Sequence, residues 1–175
     1  MNDDDDWTDA WRFAAEHHHG QTLPGSELSY LTHLGSVVLE LLAAHVVEPV
    51  PDIELAVPCA ILHDCIEDQG VTHAELASRF GVRVADGVAA LSKDPALPKA
   101  EAMTDSLSRI QAQPKAVWCV KLADRISNLI PPPAHWDAAK RRAYREEARL
   151  ILNRLGAAHS GLAARLRTRI EGYDA

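Results

Sequence analysis

Two short runs in this chain hold residue types and spacings that could do chemistry. The first is Ala60-Ile61-Leu62-His63-Asp64-Cys65-Ile66-Glu67-Asp68, an apolar stretch that turns abruptly polar. On a continuous helix, residues four apart share a face, so the spacing predicts His63 over Glu67 and Asp64 over Asp68. Ile61, Leu62 and Ile66 then serve the other side. A solvated surface stripe fits poorly, because the run before His63 has the character of a core helix. Burying several carboxylates without a counter-charge costs several kcal/mol. A divalent cation removes that cost. The second run, Val117 to Leu129, repeats the device: Lys121, Asp124 and Asn128 share one face of an otherwise apolar helix. His33, three residues after Tyr30, completes a set of two histidines and two aspartates: His33, His63, Asp64 and Asp124. Such mixed nitrogen and oxygen ligation suits Mn, Fe, Co or Zn, with positions open for water.

The elements that must position these residues read as helices throughout, with no strand alternation and no internal repeat. A first helix is predicted from a cap at Asp6 or Thr8 to about His19, and a second from about Tyr30 to Val47. A third, capped by Asp52, is expected to run unbroken to about Asp68. Thr72 with Glu75 forms a capping box for a short helix to Phe80, and another reaches Leu91. Further helices are predicted over Lys99–Gln111 and Lys115–Leu129, then, after Pro131-Pro132-Pro133, from Asp137 to Leu155 and from His159 to Ile170. The expected fold is all-α, a compact single-domain helical bundle over residues 7–175, preceded by a flexible acidic tail at residues 1–6. Its 175 residues suit one domain, and with 47% hydrophobic content disorder is not the default reading.

The net charge of −7 argues against nucleic acid as a partner. A small anionic substrate then needs local positive charge. The apolar stretch Leu34 to Val47 carries Gly35, Ser36, Glu40 and His45, so it reads as a buried helix and not a membrane span. The start has no basic n-region, and Cys59, Cys65 and Cys119 form no CxxC pair. The expectation is a cytoplasmic protein with reduced core thiols. Trp7, Trp11, Trp118 and Trp136 read as packing anchors. His17-His18-His19 looks like a metal tract but reads as helix-end packing.

The order His33, His63-Asp64, Asp124 resembles the HD phosphohydrolase pattern. The finer wording resembles the hydrolase domain of RelA/SpoT-type alarmone enzymes. The matching pieces are Phe13-Ala14-Ala15 with His18 and Gly20-Gln21, Tyr30 before His33, and Leu62-His63-Asp64 with Glu67-Asp68. They continue through Thr72 to Gly81, Leu97-Pro98-Lys99, Lys121 to Arg125 with Asn128-Leu129, and Tyr144. The likeness implies an HD-domain fold and a stand-alone small alarmone hydrolase. By that resemblance, His33, His63, Asp64 and Asp124 hold a single Mn²⁺. Glu67 and Asp68 form the catalytic acidic pair. Asn128 and Tyr144 contact ribose or phosphate, and Lys99 and Lys140 contact phosphate. The implied reaction is removal of the 3′-pyrophosphate of a (p)ppGpp-type nucleotide by a metal-activated water, in a monomer or small homo-oligomer.

One departure bears on the substrate. Where the family carries basic residues between Gln21 and Tyr30, this chain has Thr22-Leu23-Pro24. A guanidinium that would stack on the base is missing, so guanine–adenine discrimination is expected to be modest or tilted toward adenine. The alternatives are an HD phosphohydrolase acting on another ester, such as (p)ppApp or NADPH, and a non-catalytic alarmone-binding module.

Overall fold

The computed structural model describes residues 3–133 and 135–173, with backbone alone at 3–6, 99 and 100. In chain order the helices are α1 (Asp3–His17), α2 (Leu31–Val47), α3 (Ile53–Leu62), α4 (Cys65–Gln69) and α5 (His73–Phe80). They continue as α6 (Val82–Leu91), α7 (Lys99–Gln111), α8 (Lys115–Asn128), α9 (Ala138–Leu155) and α10 (Ser160–Glu171). A single 3₁₀ turn at Gly156–Ala158 joins the last two, and no strand occurs among the described residues. The fold is all-α.

Helix α8 is the central rod. From Ala116 to Ile126 every residue except Trp118 is buried. A helix that is buried all round needs neighbours on every side. It finds them in α2, α3, α9 and α10, while α1 packs on α3 and α6 joins α3, α5 and α7. One continuous core results, with Leu34, Leu41, Leu62, Leu122 and Ile126 fully enclosed. No described helix is long and apolar enough to cross a membrane.

Local chemistry sets the helix ends. The Thr72 hydroxyl accepts from Glu75 N at 3.2 Å, as the capping box predicts. Asp137 accepts from Lys140 N at 2.7 Å and starts α9. His159 caps α10 with its ring, Nδ1 accepting from Leu162 N at 3.2 Å. Asp52 does not cap α3. It has φ +49, and its carboxylate takes Arg83 Nη2 at 2.5 Å instead. Helix α1 begins at Asp3, so it takes in part of the expected acidic tail; Met1 and Asn2 of that tail lie outside the described residues.

The expected unbroken helix from Asp52 to Asp68 does not form. It divides into α3 and α4 at a turn over His63 and Asp64. Adjacent residues on a straight helix diverge by about 100°, so a regular helix would point these two apart. Asp64 sits at φ −102, ψ 0, and the turn aims both side chains the same way. The loop between α1 and α2 is pinched by an isolated bridge between Thr22 and Ser29. Tyr30 N donates to Gln21 O at 2.9 Å, which sets these two residues side by side at the mouth of α2.

Candidate metal centre and adjoining pocket

The three helices α2, α3 and α8 pack against one another. Each supplies part of one cluster where they meet. His33 comes from α2, His63 and Asp64 from the turn that ends α3, and Asp124 from α8. His33 Nε2 and His63 Nε2 are 3.2 Å apart. Asp64 Oδ2 is 3.0 Å from His63 Nε2 and 3.7 Å from His33 Nε2. Ligand-capable atoms of His33, His63 and Asp64 all fall within 4.8 Å of one another. Asp124 Oδ1 adds a fourth, 3.4 Å from His33 Nε2 and 3.9 Å from His63 Nε2.

The surroundings orient each donor. His63 Nδ1 donates to Ala60 O at 2.8 Å, which leaves Nε2 of the neutral ring with its lone pair facing the cluster. Tyr30 Oη donates to Asp64 Oδ2 at 2.5 Å. Lys121 Nζ donates to Asp124 Oδ2 at 2.8 Å, and Asn128 Nδ2 to Asp124 Oδ1 at 2.5 Å. Burial opposes the charged form of His63, but the Asp64 and Asp124 carboxylates outweigh it and lift the imidazole to about 9. Burial likewise opposes Asp64, yet His63 beside it holds its carboxyl below the usual range. Asp124 is held well below that range against burial by Lys121, His33 and His63. Two imidazole nitrogens and two carboxylates thus converge at a buried point, an acceptor-rich set that suits a divalent cation.

Glu67 and Asp68 follow on α4, where Asp68 N donates to Asp64 O at 2.8 Å across the turn. Each is tied down by a distant residue. Glu67 Oε2 accepts from Lys93 N at 2.8 Å, with Lys93 Nζ 3.5 Å from Oε1. Asp68 Oδ2 accepts from Gln21 Nε2 at 2.9 Å. Nothing local in the sequence links Lys93 to Glu67, 26 positions away.

Beside the cluster lies a cavity of about 360 Å³ that His33 and Asn128 share with it. Its walls are largely apolar and include Leu23, Pro24, Trp136, Tyr144 and Tyr173. Trp136 meets Tyr144 edge-on at 5.2 Å. The Arg125 guanidinium, itself buried and paired with Glu147, lies 4.5 Å from the centre of the Tyr144 ring. Lys140 Nζ sits 4.4 Å over the Trp136 ring, at the edge of this aromatic wall. Lys99 opens α7, and its side chain lies outside the described residues. Trp136, expected as a packing anchor, is part of the pocket lining; its place three residues after Pro133, in the break before α9, was the available signal.

Comparisons with known proteins bear on this arrangement. The chain matches the HD domain family over residues 10–163. It is 31% identical over 159 residues to the guanosine-3′,5′-bis(diphosphate) 3′-pyrophosphohydrolase MESH1 of Danio rerio, covering 88% of this chain and 86% of that one. It is also 31% identical over 159 residues to the bifunctional (p)ppGpp synthase/hydrolase SpoT of Escherichia coli K12, covering 86% of this chain but 22% of that protein. The solved structure of a metazoan SpoT ortholog that hydrolyses ppGpp superposes with a TM-score of 0.81 at 23% identity, covering 95% and 94% of the two chains. That likeness establishes the fold.

Proposed function

Since the chain belongs to the HD domain family, we propose that it hydrolyses the 3′-pyrophosphate of a ppGpp-type alarmone, releasing pyrophosphate and a nucleoside 5′-di- or triphosphate. The observation that carries this reading is the convergence of His33, His63, Asp64 and Asp124 on one buried point beside an apolar cavity of nucleoside dimensions. Those four residues would hold one metal ion, and with half its donors carboxylate the set suits Mn²⁺. The ion supplies Lewis acidity that makes a water nucleophilic near neutral pH and offsets phosphate charge.

The residues divide the remaining work. Lys121 and Asn128 fix Asp124, and Tyr30 fixes Asp64, so the donors keep their aim. The nucleoside lies between Leu23-Pro24 and the Trp136–Tyr144–Tyr173 wall, with Asn128 near the ribose. Lys140 approaches phosphate from the edge of that wall, and Lys99 is assigned the same role. Water attacks the phosphorus joined to the 3′ oxygen, and the 3′ O–P bond breaks. Glu67 and Asp68 take the proton from the water and return one to the departing ribose oxygen.

The test is a panel of ppGpp, ppApp and NADPH with Mn²⁺, scored by product identity. Pyrophosphate from the first two supports the reading, and release of only inorganic phosphate from every substrate removes it. Glu67→Gln should keep fold and metal yet lose on the order of a hundredfold in kcat. Near-normal kcat in that variant would take Glu67 out of the chemistry.

A further inference from the structure

Asp68 is joined to a polar chain that runs back into the core. Gln21 Nε2 lies 2.9 Å from Asp68 Oδ2. The other end of the same amide, Gln21 Oε1, is 2.5 Å from His18 Nδ1 and 2.5 Å from Gln69 Nε2. His18 is 1% exposed, and its Nε2 is 3.6 Å from Cys65 Sγ. Its ring stacks on Tyr30 at 5.2 Å, and Tyr30 is the donor to Asp64.

These contacts constrain the orientation of the Gln21 amide. An ionised carboxylate accepts and never donates, so the amide nitrogen of Gln21 must face Asp68. The flipped amide would set two acceptors against each other at that distance. The oxygen of Gln21 therefore faces inward and takes two donors, Gln69 Nε2 and His18 Nδ1–H. On the far side of the ring, His18 Nε2 faces the Cys65 thiol at 3.6 Å. The contacts run from Cys65 through His18 and Gln21 to Asp68, and the last of them is donated by Gln21.

We infer that Gln21 is a positioning residue for Asp68, with His18 and Gln69 locking the orientation of its amide. This rests on the role given to Asp68 above. Residue 68 occupies the end of the five-residue helix α4 and is solvent-exposed, so its own helix does little to restrict its rotamer. Among the described residues, the Gln21 amide is the side-chain donor that restricts it. The same His18 ring supports Tyr30, so one buried imidazole backs both the acid pair and the ligand Asp64. The pinched loop that places Gln21 beside Tyr30 is what brings the two branches together.

The test compares Gln21→Ala, Asp68→Asn and the double variant on the full chain with Mn²⁺. Gln21→Ala should lower kcat about tenfold or more, leave KM within twofold and keep the metal content of the parent. On the Asp68→Asn background it should cause no further loss, because its effect passes through Asp68. Parent kcat in Gln21→Ala, a change confined to KM, or independent losses that multiply in the double variant would each overturn the inference. If Gln21→Ala fails to fold, Gln69→Leu removes one of the two locks and should give a smaller kcat loss of the same kind; parent kcat there would count against it. Nitrogen NMR on the metal-free protein reads the contact without turnover. The Gln21 side-chain amide resonances should move on Asp68→Asn, and unmoved resonances would also overturn it. A parent protein inactive on every alarmone would remove the proposed function instead, leaving the NMR result to decide the contact.

Discussion

At the residue scale, the tightest constraint is electrostatic. Lys121 and Asp124 are both buried and paired at 2.8 Å, three positions apart on α8. Asp124→Ala should abolish metal content and turnover, and it also leaves a buried ammonium without its partner. We expect a loss of about 3–5 kcal/mol in urea denaturation, most of it recovered by adding Lys121→Met. Unchanged stability in Asp124→Ala would show that Lys121 escapes to solvent. A second prediction follows from His63, which the carboxylates lift from 6.5 to about 9. A raised imidazole stabilises the fold fully below about 6.5 and loses that contribution as pH rises through about 9. Metal-stripped protein should therefore lose on the order of 3 kcal/mol between pH 6.5 and 9.5, and His63→Ala should flatten the curve. Metal affinity should rise across the same interval, because the ion must displace that proton. A stability profile of the stripped protein that climbs over this range would contradict the assignment.

At the element scale, the packing of α6 against α3 and α8 depends on Gly87. A Cβ there would lie 2.7 Å from Cys59 Sγ and 3.1 Å from Val117 Cγ2. Alanine is the better helix former by about 1 kcal/mol, yet overpacking costs about 1–3 kcal/mol. Gly87→Ala should lower the urea midpoint at unchanged m, and Cys59→Ala on that background should restore it. A stabilised Gly87→Ala would mean that the interface yields to the added methyl. The helix pattern was largely legible, because apolar spacing and caps such as Thr72 and Asp137 are local signals. The break at His63–Asp64 was not legible. Its residues are compatible with continued helix, and it is long-range contact, with Tyr30 on Asp64 and His33 on His63, that favours the turn.

At the scale of the whole molecule, the elements enclose one core and leave one cavity against the cluster. Leu23 and Pro24 line that cavity. Apolar walls hold any purine and read little of its edge. We predict that kcat/KM for ppGpp and ppApp with Mn²⁺ will differ by less than about a hundredfold, some 2.7 kcal/mol. A larger preference for guanine would show that Asn128, Ser127 or another polar group reads the base.

Residue types and spacing alone gave the donor set and the helices carrying His33 and Asp124, but not the turn that carries His63 and Asp64. His33, His63, Asp64 and Asp124 stand out because charged residues in apolar runs demand compensation, a demand set by composition and spacing alone. Which atoms meet follows from packing instead. The link from Lys93 to Glu67, the chain from His18 through Gln21 to Asp68, and the place of Trp136 in the pocket wall join residues far apart in the chain or separated by a loop. No helical period relates such partners. Their distances are fixed when α1, α4, α6 and α9 pack onto the common core, and that burial, not local propensity, sets the geometry of the site.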